Sequence, residues 1–409
     1  MIKYRLFPVL LVLILGACEG QISPRPGQGE LKQIAKQMPL KIDWVKPVSS
    51  RLVENNGGSH LVINQNGFIA SDGKNKLNQY SFNDAKLQWS ADIEGGLNGS
   101  LMATDKYIYA VTDNADVFKL DRATGKRVWR GSVSSESLVA PVVGKGVVII
   151  HSNDGNITAL RDDSGDQLWV YSRSLPTLSL RGTATPLISG DVVIAGLASG
   201  KVVTLSIYDG KLIWETALSV PKGRSNLERM VDLDGEILLH NDVIYVGGFQ
   251  GRVAALAMDS GRILWSRELS TPYGLVMSAD KSTIFLTDDN GDIWSLDRAT
   301  GATIWRQDAL RGRISTHPAT QGEFLIMGDR QDNLFWINQR DGVVAGQMHY
   351  YDLMESGGAW AVSDVLTDGY AELDAFPQPR GVAGMVGSKE HMLVSFRNGM
   401  VASLKTNNP

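Results

Sequence analysis

Short apolar segments alternate with polar, glycine-bearing turns along most of this chain, from about residue 40 to residue 404. The copy at 290–305 is clear, because apolar and polar positions alternate on both sides of the turn sequence Asp-Arg-Ala-Thr-Gly. Period-two alternation predicts half-buried β-strands, and the turn between two such strands predicts a hairpin. Comparable copies occupy the ranges 73–89, 114–129, 154–169, 199–214 and 250–265. The pattern therefore predicts an all-β repeat protein.

Two further copies are incomplete. The copy at 331–346 has Gly346 where the others have tryptophan, and the copy that opens at Asn398 lacks its second strand. The segment 40–44, which ends at Trp44, has the pattern of that missing strand. A repeat array whose last unit is completed by its first strand closes into a ring, whereas an open array needs capping units. We expect an eight-bladed β-propeller of four-stranded antiparallel blades over residues 37–409, closed by the N-terminal strand.

Tryptophan recurs at the end of the repeat, and the turn before it has a defined chemistry. A large flat ring once per unit predicts packing between neighbouring sheets, and its recurrence in blade after blade disfavours a ligand cage. In Asp-x-x-Thr-Gly, the aspartate and threonine are expected to bond nearby backbone N–H groups, and the glycine to adopt a positive φ. The seven tryptophans at this position are Trp44, Trp89, Trp129, Trp169, Trp214, Trp265 and Trp305.

The first residues have the pattern of an export signal. Residues 1–17 combine Lys3 and Arg5 with an apolar stretch that is short for a membrane span, which predicts a secretory signal peptide. Leu-Gly-Ala before Cys18 matches a bacterial lipobox, so Cys18 is expected to be lipidated; an ordinary cleavage site beside an incidental cysteine is the alternative. Residues 18–36 are expected to be a flexible tether, because their start is rich in Gly, Pro and Gln. Glu19 stands where aspartate is the usual inner-membrane retention signal of bacterial lipoproteins, so the resemblance to them points to the outer membrane. We expect a lipid-anchored protein whose propeller faces the periplasm.

The composition excludes several kinds of chemistry. Cys18 is the one cysteine, so a disulfide and a cysteine metal site are both excluded. The net charge is −4 and the mature part has no dense Lys/Arg block, so nucleic acid is not an expected partner. The six histidines lack metal-ligand spacing, and no HExxH, GxSxG or phosphate-binding glycine loop is found. We expect no catalytic site, no cofactor and no metal.

The spacing between copies is uneven. Measured at the turn position that opens each copy, the spacings are 40, 40, 45, 51, 40, 41 and 67 residues. The three long spacings mark inserted loops, and loops on a rigid scaffold carry function more often than the scaffold does. Each insertion follows the Trp position, so all three are expected on one face, with the first two adjacent. The positions used are Asn75, Ala115, Gly155, Gly200, Gly251, Gly291, Asp332 and Gly399.

The first two insertions contain the residues that we expect to bind a partner. Leu178, Leu180 and Arg181 lie in the first insertion, and Asp232 and Asp234 lie in the second. Exposed leucines beside an arginine, facing two carboxylates, have the composition of an interface centre with charged contacts. A second interpretation stays open at this point, in which both leucines tuck into the propeller and the arginine pairs with one aspartate at the surface.

The third insertion, roughly 347–381, is aromatic and acidic. Two interpretations stay open for it, an accessory contact and a lid over the axis of the ring. Its acidic residues also fit a solvated surface.

The Trp-ending repeat resembles the tryptophan-docking motif of pyrroloquinoline-quinone (PQQ) dehydrogenases, in which a small residue, Asp, Thr-Gly and Trp follow in order. The resemblance covers the whole ring, and those enzymes also have eight blades. They use an adjacent cysteine pair over the cofactor, a Ca²⁺ site and a catalytic aspartate, whereas this chain has no second cysteine. With its lipobox and its eight repeats, the sequence is similar to the BamB family of outer-membrane protein assembly factors.

This resemblance implies a non-enzymatic scaffold lipoprotein of the outer-membrane β-barrel assembly machinery. It implies a propeller that binds a POTRA domain of BamA, with unfolded outer-membrane proteins as further partners. Leu178, Leu180 and Arg181 match the Leu-Ser-Leu-Arg loop of that family, and Asp232 and Asp234 match its Asp-x-Asp loop, so the resemblance implies that they form the BamA-binding surface. The alternatives are a PQQ-dependent dehydrogenase-like enzyme and a polysaccharide-binding lipoprotein that uses the third insertion. A further hypothesis is that client strands pair with the outer edges of blades.

Overall fold

The computed structural model describes residues 40–48, 61–64, 67–72, 75–97, 101–173, 183–218, 233, 235–314, 316–350, 353, 381–387 and 392–406. Within these ranges the strands form eight four-stranded antiparallel sheets. The first strand, β1 (Leu40–Pro47), belongs to the last of them. Cys18 and the predicted signal and tether segments lie outside the described residues.

The first four sheets are called blades 1 to 4, and each runs outward from its first strand to its fourth. Blade 1 contains β2 (Leu61–Asn64), β3 (Gly67–Ser71), β4 (Lys76–Ser81) and β5 (Leu87–Asp92). Blade 2 contains β6 (Met102–Ala103), β7 (Tyr107–Val111), β8 (Asp116–Asp121) and β9 (Arg127–Ser132). Blade 3 contains β10 (Val142–Gly144), β11 (Val147–His151), β12 (Ile157–Arg161) and β13 (Gln167–Tyr171). Blade 4 contains β14 (Leu187–Ser189), β15 (Val192–Leu197), β16 (Lys201–Ser206) and β17 (Leu212–Ala217).

The remaining sheets are blades 5 to 8. Blade 5 contains β18 (Leu238–His240), β19 (Val243–Val246), β20 (Val253–Ala257) and β21 (Ile263–Arg267). Blade 6 contains β22 (Leu275–Met277), β23 (Thr283–Thr287), β24 (Ile293–Asp297) and β25 (Thr303–Gln307). Blade 7 contains β26 (Ala319–Gln321), β27 (Phe324–Gly328), β28 (Asn333–Asn338) and β29 (Val344–His349). Blade 8 contains β30 (Val382–Gly387), β31 (Met392–Phe396), β32 (Met400–Thr406) and β1.

Blade 8 joins the two ends of the described chain. β1 pairs antiparallel with β32, and Trp44 lies opposite Ser403. The predicted eight-bladed propeller, closed by its N-terminal strand, is therefore confirmed. Because β32 and β1 are far apart in sequence, no turn connects the third and fourth strands of this blade.

The seven tryptophans connect neighbouring blades, as their position in the repeat predicts. The Trp89 Nε1–H donates to the backbone carbonyl of Arg122 in blade 2 at 3.1 Å, and Trp129 donates to Asp162 in blade 3 at 2.8 Å. Each of the other five makes the same bond to the turn before the last strand of the next blade, with N–O distances between 2.6 and 3.0 Å. An aromatic ring thus seals the seam and also satisfies a turn carbonyl.

The turn that receives each tryptophan has the predicted chemistry. In blade 2 the Asp121 carboxylate accepts the Thr124 N–H at 3.0 Å and its hydroxyl at 2.7 Å, and Gly125 has a φ of 70°. A Cβ at Gly125 would lie 2.7 Å from the Trp89 ring, so glycine is required by contact as well as by backbone conformation.

Blade 7 departs from this pattern. Gly346 occupies the tryptophan position of β29, and its partner across the strands is Trp336 of β28, which is 1% exposed. In blade 7 the tryptophan therefore lies on the third strand, directly opposite the fourth-strand position that it occupies in the other blades. Trp336 belongs to a buried cluster that spans blades 7 and 8 and includes Val45, Tyr350 and Phe396.

A β-bulge lies in the outer strand of every blade, just before the tryptophan position. In β9, for example, Trp129 pairs with Lys119 but Arg127 pairs with Leu120, which leaves Val128 as the extra residue. The same register shift occurs in the other seven outer strands. Bulges disrupt the ladder and twist the strand locally, which is one way in which proteins protect a sheet edge.

Apolar clusters fill the space between blades. Between blades 3 and 4, for example, Ile149 and Ala159 pack with Val193 and Val203, all fully buried. Within the part of the chain that the structure describes, no helix has the length and apolar character needed to cross a membrane.

Candidate functional site

The three insertions leave the propeller on one face. In an antiparallel four-stranded blade, the turn from second to third strand and the connection to the next blade lie at the same end of the sheet. The insertions are connections of this second kind, at 172–186, 218–237 and 350–381. We call this end of the ring the insertion face. The first two insertions flank blade 4, so they are neighbours in space.

The predicted partner-binding residues all lie outside the described residues. Leu178, Leu180 and Arg181 of the first insertion, and Asp232 and Asp234 of the second, are not placed by the structure. The residues that flank them are described, and they show how each insertion is attached to the ring.

The first insertion returns to the ring at a buried anchor. The Thr183 hydroxyl donates to the His151 carbonyl at 3.4 Å, and the His151 ring, through Nδ1–H, donates to the Ala184 carbonyl at 3.1 Å. Burial lowers the pKa of His151 to about 4, so the imidazole is neutral at pH 7 and carries one proton for this bond. The side chains of His151, Thr183 and Ala184 are all buried. This anchor ties the C-terminal end of the first insertion to β11 of blade 3.

The second insertion is anchored by apolar side chains. Leu218 at its start, Leu233 within it and Ile237 at its end are all at most 4% exposed. They belong to one cluster with Ala184, the anchor residue of the first insertion. Leu233 lies between the two predicted aspartates in sequence.

The anchors of the two insertions meet at Gly196, the penultimate residue of β15 in blade 4. A Cβ at Gly196 would lie 2.9 Å from the Leu233 carbonyl oxygen and 3.1 Å from the Ala184 Cβ. Both segments therefore press against the same backbone position. Replacement of this glycine by any larger residue requires one segment to move.

An exposed charge pair links the strands that lead into the two insertions. The Arg173 guanidinium, at the start of the first insertion, lies 3.9 Å from the Glu215 carboxylate of β17. Glu215 also pairs with Lys201 at 2.6 Å. Exposed pairs of this kind contribute little to stability, but they set the charge pattern next to the insertions.

The third insertion is anchored more deeply. Tyr350 at its start is 2% exposed, and its hydroxyl accepts the Asn398 side-chain N–H at 3.1 Å. Leu353 is fully buried in the same cluster as Trp336. At the other end, the Gly381 N–H donates to the Asp332 carboxylate at 2.7 Å, and burial raises the pKa of that carboxyl.

Sequence reasoning missed these anchors. His151 was one of six histidines without metal-ligand spacing, and nothing in its neighbourhood marks it as a donor to the end of an insertion. Gly196 precedes an ordinary turn and carries no motif. Among the described residues no group of three or more His, Cys, Asp or Glu side chains is arranged to hold a metal ion.

Comparison with known sequences gives a coherent set of relatives. A family model described as outer membrane protein assembly factor BamB matches residues 73–307. The outer membrane protein assembly factor BamB of Yersinia pestis is 30% identical over 290 residues, which cover 68% of this chain and 73% of that protein. The BamB of Kangiella koreensis is 29% identical over 379 residues, which cover 92% of this chain and 96% of that protein.

Solved structures share the fold. The crystal structure of BamB from Moraxella catarrhalis matches with a TM-score of 0.75 and 20% identity, covering 90% of this chain and 100% of that one. The quinohemoprotein alcohol dehydrogenase from Comamonas testosteroni matches with a TM-score of 0.67 and 12% identity, covering 90% and 77%. At these identities the structural likeness concerns the propeller alone, since one fold hosts several functions.

Proposed function

Because this chain belongs to the family of the outer membrane protein assembly factor BamB, we propose that it is a non-enzymatic scaffold lipoprotein of the β-barrel assembly machinery. The family gives it a role in outer membrane protein assembly. Its direct partner in this proposal is a POTRA domain of BamA, bound on the insertion face. Other assembly components and unfolded outer-membrane proteins are further partners.

The observation that carries the proposal is the meeting of the two insertion anchors at Gly196. Arg181 is three residues from Ala184, and three extended residues span at most about 11 Å. Asp232 and Asp234 are covalent neighbours of Leu233. Short connectivity from one common anchor point supports a single composite surface made of both loops. In this surface, Leu178 and Leu180 would form an apolar centre. The opposite charges of Arg181 and the two aspartates beside it would make the charged contacts that select the partner.

Charge reversal tests this surface. In the proposal, Arg181→Glu and Leu180→Asp each abolish co-purification with BamA while the propeller still unfolds cooperatively. Arg161→Glu, at the end of β12 on the opposite face, and Leu212→Asp, on the exposed outer strand β17, are matched controls that keep binding. Unchanged binding in both test variants would remove the site assignment.

A third variant tests the anchor itself. Gly196→Ala places a methyl group against Leu233 and Ala184, so it displaces one insertion relative to the other without altering any proposed contact residue. We expect weaker BamA binding, because the two loops are no longer held in the relative position that the proposed surface requires. The control is Gly190→Ala in the same blade, because a Cβ at Gly190 would have no other atom within 4 Å.

The lipid anchor and location are part of the same proposal. Cys18, after a signal peptide of residues 1–17, is lipidated and holds the propeller, residues 37–409, at the periplasmic side of the outer membrane through the tether 18–36. In cells fed labelled palmitate, the parent is expected to incorporate the label and Cys18→Ser is expected not to. Equal labelling of the two proteins contradicts lipidation at Cys18.

A PQQ-dependent dehydrogenase is the enzyme alternative, since quinohemoprotein enzymes share the fold. The single cysteine disfavours this alternative, because those enzymes use an adjacent pair of cysteines over the cofactor. Incubation with PQQ and Ca²⁺ should give no stoichiometric spectral shift and no dye reduction. A stoichiometric holo-form would reverse this part of the proposal.

The bulges of the outer strands bear on how client segments bind. A regular added strand needs an uninterrupted row of free N–H and C=O groups, and each outer strand is interrupted by its extra residue. This argues against long strand pairing at the blade edges and favours recognition through the loops of the insertion face. Client peptides with proline substitutions are then expected to bind as well as their parents.

A further inference from the structure

A cavity of about 170 Å³ opens on the insertion face between blades 6 and 7. Its walls come from four separate connections, and they include Tyr273, Asp289, Arg313 and Arg330. It is separate from the proposed BamA-binding loops, because it lies between the anchors of the second and third insertions. On one side Gly235 packs against Gly274, and on the other Asp329 supports the return of the third insertion.

Most polar groups around the cavity are already engaged within the protein. Asp288 accepts the backbone N–H groups of Asn290 and Asp292 and the indole N–H of Trp294. The Arg313 guanidinium lies 3.8 Å from the Asp329 carboxylate, which balances its charge. These groups shape the wall and leave little capacity for a ligand.

Arg330 and Tyr273 differ from their neighbours. Across the described ranges, neither the Arg330 guanidinium nor the Tyr273 hydroxyl has a hydrogen bond or an ion pair, yet both line the same cavity. Burial raises the pKa of Tyr273, so at pH 7 its hydroxyl keeps the proton and acts as a donor. A charged donor and a neutral donor thus face one small space.

We propose that this cavity binds a small organic monocarboxylate, with the Arg330 guanidinium and the Tyr273 hydroxyl donating to its carboxylate oxygens. Arginine presents planar donors that match a carboxylate, and a charge-assisted hydrogen bond is stronger than a neutral one. Pro272 and Ile314 in the wall give apolar contact for the carbon skeleton.

Charge and size favour a single carboxylate over a phosphate. The lining carries two carboxylates, Asp288 and Asp289, and two guanidinium groups, so its formal charge is zero. A dianion would therefore add twice the uncompensated negative charge that a monocarboxylate adds. At about 30 Å³ for each water in the liquid, the cavity holds about five or six waters. That volume accommodates a carboxylate with a few carbon atoms, free or at the end of a peptide.

Titration calorimetry of the full chain at pH 7 tests the site with N-acetylglycine. We expect saturable binding in the millimolar range, and about tenfold weaker binding of N-acetylglycinamide, which has the same shape without the charge. Arg330→Gln should weaken binding of the acid about tenfold, and Tyr273→Phe about threefold. Arg340→Gln, an exposed arginine on the opposite face of blade 7, is the matched control and should bind like the parent.

Further arms distinguish the ligand source. Acetate binding as tightly as N-acetylglycine indicates a free small acid, whereas a clear preference for N-acetylglycine indicates a peptide end; both outcomes support a carboxylate site. Equal binding of acid and amide, tighter binding of inorganic phosphate, an unchanged affinity in Arg330→Gln, or no heat up to about 100 mM ligand each overturn the proposal. BamA co-purification of Arg330→Gln should equal that of the parent, which separates this site from the proposed partner surface.

Discussion

The seam between blades 3 and 4 and the seam between blades 7 and 8 both carry an insertion on the same face, yet different side chains seal them. In the first seam, the Trp169 indole donates to the Ile207 carbonyl at 2.9 Å and packs against Gly210. The second seam has Gly346 at the tryptophan position, and blade 8 has no turn to receive an indole. Trp336, Tyr350 and other buried residues fill that seam instead.

This difference separates two uses of an insertion. Where a tryptophan docks in the seam, the described attachment of the insertion is a short anchor at its end, in which the Ala184 carbonyl accepts from His151. In the seam between blades 7 and 8, which has no docked tryptophan, Tyr350 and Leu353 from the start of the insertion belong to the buried core. The third insertion therefore helps to close the ring, whatever else its remaining residues do.

The largest effect is expected at Trp336, whose ring fills the seam between blades 7 and 8, where no tryptophan of an outer strand binds the next blade. Trp336→Ala removes a ring that is 1% exposed and leaves a cavity between blades 7 and 8, so the free energy of unfolding should fall by about 3–5 kcal/mol. Urea unfolding followed by circular dichroism measures it. Val343→Ala, at an exposed position of the same blade, is the control and should cause no measurable change. A loss below about 1 kcal/mol in Trp336→Ala would mean that the seam is sealed by other residues.

The anchor of the first insertion makes stability depend on pH. The pKa of buried His151 is about 4, below the usual 6.5, so the unfolded state binds the extra proton first as the pH falls. The stabilisation is complete above pH 6.5 and is lost between pH 6.5 and 4, by at most about 1.4 kcal/mol per pH unit. Unfolding free energies at pH 7, 6 and 5 measure this loss, which should shrink in His151→Gln. The same change at half-exposed His240 controls for the removal of an imidazole as such.

Substitution by phenylalanine separates the two kinds of tryptophan. Trp169→Phe removes the hydrogen bond to Ile207 and leaves a buried carbonyl unpaired, so it should cost about 2–3 kcal/mol. The Trp336 Nε1–H has no hydrogen-bond partner among the described residues, so Trp336→Phe should cost about 1 kcal/mol. Denaturant midpoints of the two variants give the comparison directly. Equal losses would show that the dock acts through volume alone.

Glycine substitutions test whether contact with the indole matters beyond backbone conformation. Gly210 and Gly190 both lie in blade 4 with positive φ, 68° and 56°, so alanine is strained at either position. Only at Gly210 would the Cβ meet an indole, 2.6 Å from Trp169 Cε3. We expect Gly190→Ala to cost about 1 kcal/mol and Gly210→Ala about 1–2 kcal/mol more. Thermal unfolding of both proteins measures the difference, and identical melting temperatures would contradict the contact.

The smallest effect is expected from the hydroxyl that ties the third insertion to blade 8. Tyr350→Phe removes the acceptor of the Asn398 side-chain N–H, which should cost about 1 kcal/mol in urea unfolding. Tyr208→Phe removes a hydroxyl that donates to the Asp191 carboxylate at 2.8 Å at the exposed surface, and it should leave stability unchanged. A neutral result at both positions would mean that the bond between Tyr350 and Asn398 does not stabilise the attachment of the third insertion.

The Trp-ending strands and the Asp-x-x-Thr-Gly turns were predictable from the sequence, because the same pattern of residues recurs in several copies. Trp44 identified the closing strand since six other tryptophans defined what such a strand looks like, and the Asp-x-x-Thr-Gly turns folded as their chemistry predicts. The features that occur once were not predictable. Gly346 was visible as an exception, but its partner Trp336 stands at a position that is Lys119 in blade 2 and Ala159 in blade 3, so no pattern exposed the exchange.

For the candidate site, the positions of the insertions were predictable from the sequence, but their attachment to the ring was not. The uneven spacing located all three between blades, which the strand order confirms. The burial of Leu233 and its contact with Gly196 depend on tertiary packing across blade 4, which leaves no local signature. The assignment of Leu178, Leu180, Arg181, Asp232 and Asp234 stays a prediction.

The pairing of β1 with β32 sets an order of events for the folding chain. The strand with Trp44 is made before almost all of the propeller, yet its partner is made last, so it waits without a sheet during synthesis. Seven blades can assemble from neighbouring strands, whereas the eighth requires a loop closed over nearly the whole chain, which is costly in entropy and slow. A nascent chain of this protein therefore completes its ring in one late step, and until then the apolar side chains of β1 have no sheet to pack against.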